Sequence, residues 1–569
     1  MASETKIEFI GGAALILHVL KELNLRSILN EHFTLHKSWT GIDKGFIVCV
    51  WLSYIISRQD HRLSSLEDWV GEHELSLSAQ LGQQIDIKDF TDDRLGKILD
   101  DFSNTDKWNP FEISVNKHLI RVYDLAGRSI QLDATIGQSF GKVVDDGLLQ
   151  YGYSKQFRKD LAQFKTMLAN LGDENIPLAS ITVSGEKSDD QLYIPIIRLA
   201  KQSLTGNGLL WQGDKKMSAL ATRAFVAEIG DYYLSPLSEV HVPKSVLLET
   251  YLADFIAGKQ VLETVSRKDK EIAKGYEKSV TQVYGDQEWT ERHLVVRSEA
   301  YAKAEQKTLR AKLDKAENAI KSLNERAKGK KVFKNKEDLE AHVQNILKNN
   351  NVIDLITVNY KLTYTPKVVR ASKENKERTE ILFNYSVQWR INEEALKTRI
   401  MTLGWIIYAT NMPKELLSIE NAVLFYREEY KIEHRFHNLK EEVTRLLPVF
   451  LKKDNRIIGL IHLLMLALKV IATMEYNIKT KLEKNKEKLA GLYPGNPKIA
   501  TENPTISKIM GAMNSIAIAF IIEDGKVVQY FINKLKPIQI QIMNLLEMDL
   551  DYFNKMNSLI NKEIIFFSQ

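Results

Sequence analysis

The sequence predicts an α/β fold: a core built on a mixed sheet, interrupted by a helical and β insertion, and flanked by helical N- and C-terminal regions. Three observations predict it. Between residues 129 and 234, short apolar runs alternate with turn residues and amphipathic segments, the texture of an α/β unit. From about 240 to 400 that texture gives way to a long helical seam and two alternating segments. A short apolar run then returns at Gly404 to Asn411, followed by a helix carrying Tyr426 through Lys440, so the intervening stretch reads as inserted into one domain.

A chain of 569 residues exceeds a single core, and three or four packed units are expected. The divisions are a helical N-terminal domain over 1–115, the first part of the core over 116–240, the insertion over 241–400, the last core strand and helix over 401–445, and a mainly helical region over 446–569.

Residues 12–110 carry apolar positions at helical spacing and need no strand. Thr91 followed by Asp92 and Asp93 reads as a helix start, which makes these two acids capping and dipole residues. In the core, strands are expected at 129–136, 141–144, 164–169 and 178–183, a helix at 190–202, a strand at 208–212 and another near Tyr233. Asp133 falls within the first of these strands, and Asp214 just beyond the 208–212 strand.

In the insertion, Leu309, Leu313, Ala316, Ile320, Leu323 and Ala327 recur at alternating steps of four and three, the seam of a helix that pairs with another. Ile356, Val358, Tyr360, Leu362 and Tyr364 share one face of a strand, and Phe383, Tyr385, Val387 and Trp389 one face of the next. Further on, the most apolar stretch, 457–474, contains His462 and Lys469 and is short for a bilayer crossing, so a buried core helix is expected. A hairpin over 517–531 should turn at Asp524-Gly525.

The 78 Lys and Arg nearly balance the 73 Asp and Glu, for a net charge of +5, which permits nucleic-acid binding without demonstrating it. Lys328, Lys330, Lys331, Lys334 and Lys336 form a local basic run that fits phosphate neutralisation or a solvated loop equally well. Cys49 is the only cysteine, which excludes an internal disulfide and a zinc ribbon. The first ten residues lack the features of a secretory signal, and a cytoplasmic protein without a membrane partner is expected. No phosphate-binding loop or dinucleotide fingerprint is present, which argues against ATP-driven action.

A carboxylate fixed at a strand end makes a useful metal ligand, because ligands from several elements can converge on it. Asp133 and Asp214 meet that condition, but Asp also serves in turns and caps, so position alone does not single them out. Asp189 and Asp190 read more simply as caps of the following helix. His434 and His437 lack a third nearby ligand for zinc.

Motif order adds what position leaves open. Ile130-Gln131-Leu132-Asp133-Ala134-Thr135 resembles the first-aspartate strand of insertion-sequence DDE transposases, and Gly208 through Asp214 resembles the second. Tyr426-Arg427-Glu428-Glu429-Tyr430-Lys431-Ile432-Glu433, with Lys440 beyond, is similar to the signature of the class named for its Tyr, Arg, Glu and Lys. Tyr151 through Lys155 with Arg158, and Thr91 through Gly96, resemble segments of one branch of that class, the IS-sixteen-thirty-four-like branch of the IS-four superfamily.

The resemblance implies an RNase-H-like catalytic core in which Asp133, Asp214 and Glu433 hold two divalent ions, Mg²⁺ or Mn²⁺. It implies DNA contacts at Tyr426, Arg427 and Lys440. The implied partners are the double-stranded terminal inverted repeats of the element and target DNA, cut and joined by a homodimer. Position 429 departs from the pattern: the class has Arg there, and this chain has Glu. That reversed charge favours a rival reading, a non-cutting DNA-binding protein on the same fold, whereas the three intact carboxylates favour the enzyme. A structure-specific nuclease is a third reading.

Overall fold

Strands joined by tight turns pair antiparallel, whereas strands joined through a helix can pair parallel, and the core sheet follows this division. The computed structural model describes residues 3–37, 39–152, 160–325, 333, 335–369 and 378–553. The chain divides into two compact units: one of Met1–Ser235, Val283–Trp289 and Phe425–Gln569, the other of Pro236–Gln282 and Thr290–Leu424.

In the first unit, β1 (Ser3–Phe9) pairs antiparallel with Ala517–Glu523, which in turn pairs with Lys526–Ile532. The hairpin turns at Asp524 and Gly525, both at positive φ (50° and 75°), as a tight turn between right-twisted strands requires. β1 corrects the expectation of a purely helical N-terminal region: its ladder partner lies some five hundred residues on, so local spacing gave no sign of it. Helices then follow as far as Val122.

The core sheet comprises β2 (Ser129–Ser139), β3 (Ala162–Leu171), β4 (Pro177–Ser184), β5 (Leu210–Gly213) and β6 (Tyr232–Pro236), in the order β4-β3-β2-β5-β6. β2, β3 and β4 pair antiparallel, while β5 pairs parallel with both β2 and β6. The helices Tyr193–Lys201 and Leu220–Glu228 lead into β5 and β6. The strand expected at 141–144 does not form. Val144 is 64% exposed, and this stretch is an irregular link whose Leu148 N–H donates to the Asp454 carboxylate. Two adjacent valines are too short an apolar run to distinguish a strand from a loop.

The stretch around 457–474 lies within one helix, Asp454–Asn485, which packs on β4 and on the Asp92–Phe102 helix. It has the length and apolarity to cross a membrane, yet 94% of its apolar window is buried inside the fold. Its Gly459 permits the close helix crossing, because a Cβ there would lie 2.0 Å from the Leu99 carbonyl oxygen. His462 stacks on Trp108 at 4.5 Å between ring centroids and bonds the Phe102 carbonyl through Nδ1.

Three strands that periodicity did not disclose, β7 (Glu263–Arg267), β8 (Lys270–Tyr284) and β9 (Gln287–Arg297), lie in the second unit apart from the β8–β9 turn region Val283–Trp289. Their many Lys, Glu, Gln and Thr side chains blur the apolar alternation. The expected seam does form. Leu309, Leu313, Ala316 and Ile320 of the Glu299–Leu323 helix pack with Leu339, Val343 and Leu347 of the Lys336–Asn349 helix. Ala327 and the lysines at 328, 330, 331 and 334 lie outside the described residues, while Lys336 opens the second helix. β10 (Ile356–Val369) and β11 (Arg378–Ile391) pair antiparallel, with Val358 opposite Trp389 and Tyr360 opposite Val387. The expected strand after Gly404 is β12 (Trp405–Thr410); its ladder partner is β9, with Tyr408 opposite Leu294.

Candidate active site on two parallel strands

The parallel register of β2 and β5 sets Gln131 beside Gln212 and Leu132 beside Gly213. Asp133 and Asp214 are the next positions along each strand, on neighbours about 4.8 Å apart. Residues two apart on a strand share a face, so each aspartate follows a glutamine on its own side. Those glutamines reach the signature segment: Gln131 Nε2 donates to the Glu428 carbonyl at 3.2 Å and Gln212 Nε2 to the Tyr426 carbonyl at 3.3 Å. The repeated pattern Gln-x-Asp, at 131–133 and 212–214, is the signal in the sequence that could have identified them as the struts of this segment.

Both aspartates are half-buried. Asp133 Oδ1 accepts the Ala134 N–H at 2.7 Å. Asp214 Oδ1 accepts the Tyr193 hydroxyl at 2.6 Å and the Lys216 N–H at 2.8 Å, which fixes its rotamer. Burial, followed by the charge of Asp214, a hydrogen bond to it, and the charges of Asp133 and Asp189, drives the Tyr193 phenol far above its usual range. It therefore remains a hydrogen-bond donor to Asp214. Sequence reasoning missed Tyr193, which is one tyrosine on an amphipathic helix.

Asp189 does not cap the following helix. Its carboxylate bridges Lys165 and Lys216, each at 2.5 Å, and Ser188 occupies the cap position without a side-chain bond. Burial alone would raise its pKa, but the bonds and charges of the two lysines outweigh it and hold the carboxyl below its usual range. The result is a fixed cation pair beside Asp214, with Lys216 only two residues away from it.

The segment expected as one helix through Lys440 is helical throughout, but its winding changes along the way. The Ile419–Tyr426 helix passes into a 3₁₀ turn, Arg427–Glu429, then the helix Tyr430–His437, then a π turn, Asn438–Glu442. Two carbonyls of this stretch accept the glutamine amides of β2 and β5. Arg435 anchors the next turn through the Asn175 carbonyl and Glu475.

Glu429 is half-buried and Glu433 exposed. Burial raises the Glu429 pKa; a hydrogen bond from Tyr426 opposes this, and the charges of Asp214 and Glu433 add to it. Glu429 thus lies within electrostatic reach of Asp214 on one side and Glu433 on the other. Arg427 lies in the 3₁₀ turn and Lys440 in the π turn, both half-buried.

Among the described residues, no three or more His, Cys, Asp or Glu side chains are gathered closely enough to hold a metal ion as they stand. Mg²⁺ requires fewer: it commonly takes one or two carboxylates and completes its shell with water and substrate phosphate oxygens. Asp133 and Asp214 supply that donor set, hard anionic oxygens on β2 and just beyond β5, and Glu429 adds negative charge near Asp214; among the described residues Glu433 is not gathered with the two aspartates into a three-carboxylate group. The residues therefore fit a divalent ion of that kind.

No protein-family model matches this chain, and no curated protein matches it. Among solved structures, it is similar to the cryo-EM structure of a piggyBac transposase synaptic complex with hairpin DNA. The likeness covers 98% of this chain and 81% of that one, at 8% sequence identity and a TM-score of 0.35. At that level it carries no argument, and the functional reading rests on the side chains described above.

Proposed function

We propose that this protein is a DDE transposase of the Tyr-Arg-Glu-Lys class, with an RNase-H-like core that cuts and joins DNA at the ends of its own element. The observation that supports this most is the register of β2 and β5, which makes Asp133 and Asp214 neighbours beneath the segment carrying Glu433. Asp133, Asp214 and Glu433 hold Mg²⁺ or Mn²⁺, two ions in the working complex with DNA. Bound metal supplies activation of the attacking oxygen and stabilisation of the leaving oxygen during phosphodiester cleavage. Tyr193 is a positioning residue that orients Asp214, and the exposed Lys216, held by Asp189, adds a cation for a DNA phosphate. Tyr426, Arg427 and Lys440 contact the DNA. The working form is a cytoplasmic homodimer bound to paired inverted repeats.

Glu429 bears on the rival reading. An Arg at this position would ion-pair with Asp214 or Glu433 and compete with bound metal, so the class pattern cannot be restored here by charge reversal alone. The test is cleavage of duplex DNA carrying the element's own ends, with Mg²⁺ or Mn²⁺ and with EDTA, by the wild type and by Glu429→Arg. Metal-dependent cutting by the wild type, unimproved in Glu429→Arg, is expected. Specific binding of the ends with no cutting by either protein would favour a non-catalytic DNA-binding protein.

A further inference from the structure

At the opposite end of the core sheet, the chain enters β2 and β5 through Arg128 and Leu209, and the Leu210 N–H donates to the Arg128 carbonyl at 2.9 Å. A cavity of about 640 Å³ opens there. Lys117 and Arg121 line it, four residues apart on one face of the Thr105–Val122 helix, together with Arg128, Thr205 and Asn207. No acidic residue is in the lining. Lys117, Arg121 and Arg128 are exposed, and none of the three has an ion pair among the described residues; Arg121 bonds only the ring of His118. The nearby acids are engaged elsewhere: buried Glu174 accepts the Ala126 and Gly127 N–H groups, and buried Asp231 holds Lys201, the Leu209 N–H and the Trp211 indole.

We infer that this cavity is a phosphate-binding site. Three like charges converging on one concavity repel one another, and a concave surface focuses their field, so an anion placed between them relieves the repulsion of all three. The volume falls within the range of small-ligand sites. Two arginine forks and a lysine suit phosphate oxygens, and the Thr205 hydroxyl adds a neutral donor. Asp133 lies five residues along β2 from Arg128, roughly 16 Å away, so the site is separate from the carboxylate pair. The inference does not depend on the proposed function.

The phosphate could belong to a small molecule or to a nucleic-acid backbone, and two probes separate these sources. Inorganic phosphate is titrated calorimetrically into the full chain, and a short duplex of arbitrary sequence is bound in EDTA over a range of salt. Both are repeated with Lys117→Ala/Arg121→Ala/Arg128→Ala, whose melting temperature should match the wild type because all three side chains are exposed. A tenfold or greater loss of phosphate binding identifies a small-molecule site. A loss of duplex affinity, with the slope of log affinity against log salt falling by roughly two to three, identifies a backbone site. A wild type that binds neither probe, or a triple variant with unchanged affinity for both, overturns the inference. Should the triple variant not fold, Arg128→Ala is read in the same way, with a threefold loss expected.

Discussion

Asp133→Ala and Asp214→Ala each lower the rate of metal-dependent strand cleavage by about a thousandfold or more, with the melting temperature changed little. A metal ion that stabilises developing charge on phosphate oxygens is worth several kcal/mol, and about 4 kcal/mol corresponds to three decades in rate. In the proposed site each aspartate supplies one side of a two-carboxylate donor set, Asp133 within β2 and Asp214 just beyond β5, so losing either would remove most of the charge that holds the ion. Both positions are half-buried, and truncation there leaves the fully buried core intact. Asp214→Asn is the sharper probe. It preserves the shape and can still accept the Tyr193 hydroxyl and the Lys216 N–H, but it lacks the charge. Tyr193→Phe should cost far less, about tenfold, because it removes the orienting bond and leaves the carboxylate. Gel quantification of nicked and cleaved product over a metal titration checks all four variants. Wild-type cleavage by Asp214→Asn would contradict this account of the site.

Lys469→Met destabilises the fold by about 3–5 kcal/mol, the usual cost of leaving one partner of a buried ion pair alone. Lys469 is 1% exposed, and its ammonium bonds Glu112 Oε1 at 3.2 Å, Asn116 Oδ1 at 2.5 Å and the Leu178 carbonyl at 3.3 Å. Burial pushes the Glu112 carboxyl up and the Lys469 amine down, while their mutual attraction opposes both shifts. Without the lysine, that opposition disappears and the Glu112 pKa rises further. A group whose folded-state pKa is raised contributes stability below its unfolded pKa and loses it as pH rises through the folded value. The deficit of Lys469→Met should therefore shrink toward pH 4–5. Glu112→Leu combined with Lys469→Met should recover most of the loss, since no unpaired charge is then buried. Urea unfolding of the wild type and the two variants at pH 7 and pH 4.5 measures this. A single-variant loss below about 1 kcal/mol at pH 7 would contradict it.

The sequence disclosed those parts of the fold whose patterns are local. The Leu309-to-Ile320 seam, the paired faces of β10 and β11 and the Asp524-Gly525 turn each follow from spacing within one or two elements. β1 did not, because its only partner strand lies at the far end of the chain. Nor did β7 to β9, whose polar side chains blur the alternation, or the 3₁₀ winding at Arg427–Glu429. The amides of Gln131 and Gln212 that bond this stretch come from strands more than two hundred residues away.

The same division holds at the site. The positions of Asp133 and Asp214 in strands were legible, but their adjacency required the β2–β5 register, which no local pattern carries. Asp189 resembled a helix cap because Asp commonly caps helices; its two lysine partners, on β3 and just beyond β5, were not visible in the sequence. Glu429 was legible as a departure from the class pattern, yet only the fold shows which charges surround it.

The most direct test of the central claim, that Asp133 on β2 and Asp214 just beyond β5 form a divalent-metal centre, is Mn²⁺ binding followed by electron paramagnetic resonance on the full chain with a duplex carrying the element's ends. The account predicts bound Mn²⁺ that is displaced by Mg²⁺ and lost in both Asp133→Asn and Asp214→Asn, with duplex binding retained. Equal Mn²⁺ binding by the wild type and both asparagine variants would contradict it.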